Sequence, residues 1–417
     1  MAIIPNPYKT TGFLGWLDDR FPVSKLWREH LTEYYAPKNF NFWYFFGSLA
    51  LLVLVNQLLT GIFLTMNYKP SADGAFDSVQ YIVRDVPWGW LIRSLHATGA
   101  SAFFLTVYAH MFRGILYGSH RKPRELIWIF GCLIYLALMA EGFCGYVLPW
   151  GNMSYWGAQV ILSLFGTIPY IGGDLQTWIQ GDFTPADATL NRLFAFHVIA
   201  LPFVIVGLVF AHLVALHEVG SNNPDGVDIK KVKDPVTHIP LDGIGFHPYY
   251  TVKDMVGIAG FLIIFAAVVL FAPEGGGYVI EPANFTPANA QVTPNPITPA
   301  WYFGVYYAML RATPSMFNSA IWGVIVMFGA IVVLFFLPWL DRSPVKSIRY
   351  KGWIFKTAIT LFAIDFLVMN YLGMHEPNPT RTLIARFGTV YYFLFFLGMP
   401  IYSKLDKTKP VPERVTE

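Results

Sequence analysis

Residues Leu91–Leu116 read LIRSLHATGASAFFLTVYAHMFRGIL. This run is long enough to cross a hydrocarbon core of about 30 Å as an α-helix. It carries two histidines, His96 and His110, which are about four helical turns apart. They therefore lie near one helix face, about 21 Å apart along the axis. The run predicts a membrane helix that offers one imidazole toward each side of the bilayer.

The composition of the whole chain is that of a membrane protein. Of its 417 residues, 55% are hydrophobic and only 13% are charged, whereas a soluble domain carries about 25% charged residues. The net charge of +3 and the scattered basic residues exclude nucleic-acid binding. Two cysteines, Cys132 and Cys144, are too few for a disulfide framework. We expect a polytopic membrane protein and exclude a soluble enzyme.

Eight apolar runs of about 20 residues predict an all-α fold with eight transmembrane helices, A to H. The runs are Phe40–Met66, Leu91–Leu116, Leu126–Leu148, Leu190–Leu216, Met255–Phe271, Ala320–Trp339, Trp353–Leu372 and Leu383–Tyr402. On this topology 22 of the 29 lysines and arginines fall on one side, so the positive-inside rule places both termini in the cytoplasm. We expect three regions: an N-terminal arm with an interfacial helix (1–39), a bundle of helices A to D (40–230), and helices E to H with a long outer E–F loop (231–417).

Helix D carries a second pair of histidines, His197 and His212, whose spacing is one residue longer than that of the first pair. Helices B and D run in the same direction, so His96 is expected at the depth of His197, and His110 at the depth of His212. Two such pairs suit two six-coordinate haems with paired axial imidazoles, and helices A to D would form a di-haem bundle. No C-x-x-C-H motif is present, which predicts non-covalent b-type haem. Zinc is the alternative metal, but a zinc site would need further protein ligands at each level. A structural or proton-relay role is the other alternative, and it explains a single membrane histidine better than four histidines at matched depths.

Glycines and arginines give a second signal in the same helices. Two glycine pairs have the same spacing as His96 and His110: Gly47 with Gly61 in helix A, and Gly131 with Gly145 in helix C. A helix surface without side chains lets a porphyrin edge approach, although small-residue helix packing is the alternative. Arg93 and Arg113 each lie three residues from a histidine of helix B. They can pair with haem propionates or simply reach toward the interface.

Five motifs resemble the cytochrome b family of ubiquinol–cytochrome c oxidoreductase, respiratory complex III. They are RSLHATGASAFF, GYVLPWGNMSYWGA, FAFH, HEVGSNNPDG and FHPYYTVKD, and the similarity runs from about residue 40 to the last span. The resemblance implies an outer, low-potential haem at His96 and His197 and an inner, high-potential haem at His110 and His212. It also implies a Q cycle, with quinol oxidised at the outer face and quinone reduced at the inner face. The implied partners are a Rieske iron–sulfur protein and a membrane-anchored c-type cytochrome, in a homodimer.

The resemblance further assigns residues to two quinone sites. At the outer face it points to Tyr146, Gly157 and the segment Pro299–Tyr302, which contains Trp301 and Tyr302. At the inner face it points to His217, Ser221, Lys253 and Asp254. Quinol oxidation releases protons and quinone reduction consumes them, so both sites need groups that exchange protons.

The sequence departs from the family at Ala300, where the common motif has a glutamate proposed as proton acceptor. Alanine cannot accept a proton, so we expect a carboxylate elsewhere to take this role. The candidates are Glu281 in the E–F loop and Glu141 inside helix C, and a structural hydrogen bond would explain Glu141 equally well.

The spacing of His197 and His212 is one residue longer than in mitochondrial relatives, and Pro202 is expected to absorb the difference by a kink. The longer spacing also resembles the photosynthetic split form of the family, which has two polypeptides and an extra cysteine-attached haem. Here no cysteine precedes helix A and spans E to H continue in one chain, which favours a bacterial respiratory protein in the inner membrane. A di-haem anchor subunit would leave spans E to H unexplained. A haem-free proton-coupled transporter or a structural scaffold would leave the matched glycine and histidine spacing unexplained.

Overall fold

The structure is a computed structural model and describes residues 11–416. Within this range the chain folds into seventeen α-helices with a few 3₁₀ and π turns between them. The helices are α1 (Gly12–Asp18), α2 (Val23–Trp27), α3 (Phe45–Thr65), α4 (Ala75–Arg84), α5 (Gly89–Tyr117), α6 (Glu125–Val147), α7 (Asn152–Gly166), α8 (Gly172–Gln180), α9 (Asp187–Ala195), α10 (Leu201–Val219), α11 (Thr251–Phe271), α12 (Gly304–Ala312), α13 (Ile321–Phe335), α14 (Leu337–Leu340), α15 (Trp353–Gly373), α16 (Pro379–Leu397) and α17 (Met399–Leu405). Two short strands, β1 (Tyr35–Pro37) and β2 (Gly243–Gly245), pair antiparallel and are a small departure from an all-α fold. Residues 1–10 of the predicted N-terminal arm lie outside the described residues.

All eight predicted spans are helical, but length and apolar character single out fewer of them as membrane helices. Five continuous helices qualify in the described chain, and a sixth does if α16 and α17, bent by 62°, are taken as one span. Helix α5 is 29 residues long but carries the polar residues of the histidine motif, and α13 is only 15 residues long. The helical, multi-span fold is therefore confirmed, while the count of eight stays a prediction.

Two layers of helices face each other, one formed by α3 and α5 and the other by α6 and α10. We call the space between the two layers the slot. Helix α3 packs along α5, and α6 packs along α10. The two histidine-bearing helices, α5 and α10, are not among the closely packed pairs of the described chain. A second helical unit follows, in which α12 packs on α13, α15 and α16 around fully buried aromatic side chains such as Phe355 and Phe396.

The extra residue between His197 and His212 is taken up by a π turn. This turn spans Phe196–Ala200 and joins α9 to α10. A π turn holds one residue more than the equivalent α-helical hydrogen bond, so it absorbs the extra residue of the spacing. Pro202 lies at the start of α10 and offers no N–H to the preceding turn, which explains why the widening occurs there. The structure thus places a widened turn just before Pro202, and a kink at Pro202 itself stays a prediction.

Two buried aspartates tie both ends of the chain to the segment between α10 and α11. Asp242 accepts from Arg414 at 2.7 Å and pairs with Lys38 at 3.4 Å, and Asp225 accepts from Asn39 at 2.9 Å. The hydrogen bond from Arg414 lowers the pKa of Asp242. Because Lys38 and Asn39 before α3 and Arg414 after α17 meet at this segment, the described segments before the first span and after the last one lie at the same end of the helices, as an even number of spans requires.

Candidate functional site

The four histidines of the bundle form two facing pairs across the slot. The ring centroids of His96 and His197 are 6.1 Å apart, with the planes at 88°. The centroids of His110 and His212 are 6.4 Å apart, with the planes at 64°. A metal bonded to one nitrogen of each ring at about 2 Å separates two such centroids by about 6 Å. The spacing of both pairs thus suits one metal centre between two imidazoles.

At the outer pair, each Nδ1 atom has a partner on a neighbouring helix. Thr60 Oγ1 lies 2.9 Å from Nδ1 of His96. Nδ1 of His197 donates to the Glu141 carbonyl oxygen at 3.1 Å, and the Glu141 carboxylate Oε1 lies 3.0 Å from the same nitrogen. Such contacts fix the ring orientation and leave Nε2 as the atom available to a metal.

At the inner pair, Arg113 approaches Nδ1 of His110 at 3.3 Å. An arginine can only donate, whereas a histidine that binds metal through Nε2 carries its proton on Nδ1. The contact therefore suits a His110 ring whose Nδ1 carries no proton, and the buried Nε of Arg113 has no hydrogen-bond partner in the described chain. His212 hydrogen-bonds to the backbone of Ile127 in α6.

The four glycines lie directly against the four histidine rings. A Cβ atom added to Gly47 would come to 3.2 Å from Cε1 of His110, and one added to Gly61 would come to 3.4 Å from Cε1 of His96. In the second layer, Gly131 faces His212 at 3.6 Å, and an added Cβ at Gly145 would overlap the ring of His197. The glycines thus make room for the histidine rings themselves, whereas the spacing alone predicts that they face a porphyrin edge.

These observations test whether the residues fit haem. The slot separates α5 from α10, the ring pairs have a metal-compatible spacing, and Arg93 and Arg113 are partly buried on the helix that carries two of the histidines. Residues 11–416 contain no group of three or more histidine, cysteine, aspartate or glutamate residues that could hold a metal ion. Two imidazoles per level therefore suit haem better than zinc, which needs more protein ligands.

A second cluster lies between α6 and the connection that follows α11, and it contains Glu281. This side chain is only 5% exposed. Asn284 Nδ2 donates to Glu281 Oε2 at 3.0 Å and to the hydroxyl of Tyr146 at 3.3 Å, and Tyr146 in turn hydrogen-bonds to Glu281. Burial raises the pKa of Glu281 to about 7. A Cβ added to Gly157 would lie 3.4 Å from the Tyr146 ring, so all four residues share one site.

The segment with Ala300 lies against the same region. Tyr302 is buried and stacks on Phe104 at a centroid distance of 3.9 Å, and its carbonyl oxygen accepts from Tyr108 at 2.5 Å. Trp301 Nε1 donates to Ser101 Oγ at 3.1 Å. The nearby charge of Glu281 is one of the causes that raise the pKa of Tyr302, after burial. Of the two candidate carboxylates, Glu281 therefore lies with the aromatic motif, whereas Glu141 lies with His197.

The predicted inner site divides into two neighbouring groups. His217 donates from Nδ1 to the Leu213 carbonyl oxygen at 2.9 Å, and its ring lies 4.8 Å from that of Tyr34. The Tyr34 hydroxyl is 3.1 Å from Ser221 Oγ. The first group thus joins the end of α10 to the N-terminal arm.

Asp254 belongs to the second group and accepts from Ser48 at 2.8 Å. Lys253 donates to the Phe40 carbonyl oxygen at 3.3 Å. Each predicted residue of this site therefore contacts either the N-terminal arm, the start of α3 or the end of α10.

Several residues of these sites are not predicted by the sequence. They are Thr60, Asn284, Tyr34, Ser48 and His30, the last of which packs edge-on against His217 at 5.3 Å. Apart from Thr60, these residues either lie far along the chain from their partners or belong to no distinctive sequence motif, so no local pattern predicts their contacts. The contact of Thr60 with His96, 36 residues apart in the chain, could be predicted by comparing the depths of residues in the two helices, because Thr60 directly precedes Gly61.

Two family models match the chain. Residues 31–220 match the model described as cytochrome b/b6/petB, and residues 287–393 match the model described as cytochrome b (C-terminal)/b6/petD. The second match covers part of the chain that a di-haem anchor subunit would not explain. Neither match favours a haem-free transporter.

Individual relatives agree with these models. A cytochrome b of Allochromatium vinosum is 60% identical over 97% of this chain and 98% of its own length. A cytochrome b/c1 of Bradyrhizobium diazoefficiens is 43% identical over 99% of this chain, which spans 58% of that protein. A chain of a solved hyperthermophilic respiratory complex III matches with a TM-score of 0.85 and 36% identity, over 94% of this chain and 98% of that one. This chain belongs to the cytochrome b family.

Proposed function

We propose that this protein carries electrons across a bacterial inner membrane as the di-haem subunit of a quinol–cytochrome c oxidoreductase. Quinol is oxidised at the outer face and quinone is reduced at the inner face, so that electron transfer is coupled to proton translocation in a Q cycle. The observation that carries the proposal is the slot between two helix layers with two facing histidine pairs, at 6.1 and 6.4 Å.

Each histidine pair would hold one b-type haem without a covalent bond. A haem so ligated accepts a single electron and passes it on. The chain's own part is to orient the four rings through their Nδ1 partners, to leave room beside them at the four glycines, and to offer Arg93 and Arg113 to propionates. Residues 40–230 would form this haem-binding region, and residues 231–417 would complete the quinone sites.

At the outer site we assign the proton acceptor to Glu281. A carboxyl whose pKa is about 7 is half ionised at neutral pH, which suits a group that both takes up and releases a proton. Asn284 and Tyr146 hold the Glu281 carboxyl group next to the aromatic motif. The role that Ala300 cannot fill thus passes to a carboxylate earlier in the same connection between α11 and α12.

At the inner site the chain would supply protons to a reduced quinone. His217 keeps Nδ1 on a backbone carbonyl, so Nε2 is free to exchange a proton. Ser221 is held by Tyr34 and Asp254 by Ser48, which leaves both able to bind a quinone oxygen. Lys253 lies beside this group.

The partners follow from the same proposal. No iron–sulfur or c-type haem motif is present in this sequence, so electrons leaving the outer site need a Rieske iron–sulfur protein and a membrane-anchored c-type cytochrome. The relative named cytochrome b/c1 supports the second partner. We further propose a homodimer in a lipid bilayer with both termini cytoplasmic.

The test is a haem count and a redox titration of the purified complex. We expect two non-covalent haems per chain, with two separate midpoint potentials in the visible spectrum. A complex that assembles with its partners but contains no haem would refute the electron-transfer proposal.

A further inference from the structure

Glu141 is a carboxylate in the middle of an apolar helix, next to one ligand histidine. It belongs to α6, four residues before Gly145. Its Oε1 lies 3.0 Å from Nδ1 of His197. Its Oε2 is buried and has no hydrogen-bond partner among the described residues. A buried carboxylate oxygen without a hydrogen-bond partner destabilises the fold. A carboxylate at this position therefore needs an explanation other than packing.

We propose that Glu141 is a positioning residue that lowers the redox potential of the outer haem through His197. The inference rests on the proposed haem ligation by His96 and His197. A carboxylate beside the Nδ1–H of a ligand histidine makes its other nitrogen a stronger donor to the metal. The negative charge of Glu141 would stabilise the more positive, oxidised state of a haem held by His96 and His197, and would therefore lower its redox potential.

The other three ligand histidines lack such a partner. Nδ1 of His96 has the neutral hydroxyl of Thr60, Nδ1 of His110 lies 3.3 Å from Arg113, and His212 hydrogen-bonds to the backbone of Ile127. Each level has one arginine on α5, three residues from its histidine. The carboxylate is therefore the charged group that distinguishes the outer level from the inner one.

A purely structural role does not explain this choice of residue. The backbone carbonyl of Glu141 already accepts from Nδ1 of His197 at 3.1 Å, so the ring would be oriented without the side chain. A glutamine would fill the same volume and also offer an oxygen, and it would avoid the burial of a charge. The negative charge is the property that only glutamate adds.

The experiment is a potentiometric titration of the intact complex with the Glu141→Gln variant. Charged hydrogen bonds are about twice as strong as neutral ones, so we expect the reduction equilibrium of the lower-potential haem to change about tenfold. For a one-electron couple this is about 59 mV toward positive potential. The midpoint of the other haem should stay where it is. Glu281→Gln is the matched control, because it neutralises a buried carboxylate that does not contact a ligand histidine; both midpoints should be unchanged.

The possible outcomes separate this inference from the proposed function. A Glu141→Gln complex with two haems and unchanged midpoints overturns the role of Glu141 alone. If the Glu141→Gln variant loses the outer haem, the Glu141→Asp variant decides between charge and packing. Retention of both haems at the original midpoints in Glu141→Asp supports the need for the negative charge. Loss of the outer haem in both variants overturns the proposal, because side-chain packing then explains the effect. A wild-type complex with no haem overturns the proposed function itself.

Discussion

Replacement of Glu281 by glutamine should remove one pH-dependent step from quinol oxidation. The pKa of Glu281 is raised from 4.5 to about 7 by burial, so its ionised form is disfavoured by about 3 kcal/mol relative to water. Below pH 7 the carboxyl becomes protonated and cannot accept a proton, and the rate should fall about tenfold for each further pH unit. Glu281→Gln should lower the rate at pH 8 by about a hundredfold or more and abolish this acid limb.

The same substitution has a consequence for stability with a defined sign. Because the folded-state pKa of Glu281 is raised, folding favours the protonated form, and this stability is present below pH 4.5 and lost as pH rises through 7. The variant does not titrate there, so it should be more stable than the wild type at pH 8, by up to about 3 kcal/mol. The two proteins should unfold at similar temperatures at pH 4.

Two assays check this prediction. Quinol–cytochrome c oxidoreductase rates are measured from pH 5.5 to 9, and thermal unfolding of the complex is followed by tryptophan fluorescence across the same range and at pH 4. Glu274→Gln is the control, because Glu274 lies in the same connection but is exposed. If Glu281→Gln keeps the acid limb of the wild type, the proton acceptor is another group and the assignment to Glu281 is wrong.

Two further predictions concern buried contacts. The Gly145→Ala variant should lose the outer haem, because the added Cβ would overlap the His197 ring. The control Gly207→Ala in α10 should keep both haems, because nothing lies within 4 Å of its added Cβ. Pyridine haemochromogen spectra of the purified variants give the haem count, and full haem content in Gly145→Ala would contradict the packing argument. In the wild type, Lys351 Nζ lies 2.7 Å from the Asp341 carboxylate, and both side chains are fully buried. Lys351→Met should destabilise the fold by about 3–5 kcal/mol, because it removes the lysine that pairs with this buried carboxylate. A melting temperature equal to that of the wild type would contradict this prediction.

The features that the sequence predicted well are those set by periodicity within a helix. Histidines separated by about four helical turns lie near one face of their own helix whatever surrounds them. For this reason the matched spacing of the glycines and histidines could be read from the sequence, whereas the contacts of Gly61 with His96 and of Gly47 with His110 could not. The helical fold followed equally directly from the length of the apolar runs.

The features that it missed depend on contacts between distant segments. Asn284 meets Tyr146 across 138 positions of the chain, and Tyr34 meets Ser221 across 187; no local pattern encodes either approach. The π turn before Pro202 was missed for another reason. A one-residue excess can be absorbed by a kink or by a wider turn, and only the backbone of the folded chain distinguishes the two.

The placement of the two carboxylates supports the proposed division of roles around Ala300. Both Glu141 and Glu281 are largely shielded from solvent, but one lies 3.0 Å from a ligand histidine and the other accepts from Asn284 next to the aromatic motif. A group that exchanges protons must change its charge during turnover, whereas a group that sets a redox potential must keep its charge constant. Glu281, with a pKa of about 7, suits the first task, and Glu141, whose carboxylate contacts His197, suits the second. The loss of the family's usual glutamate therefore requires only one of these residues to take over proton transfer.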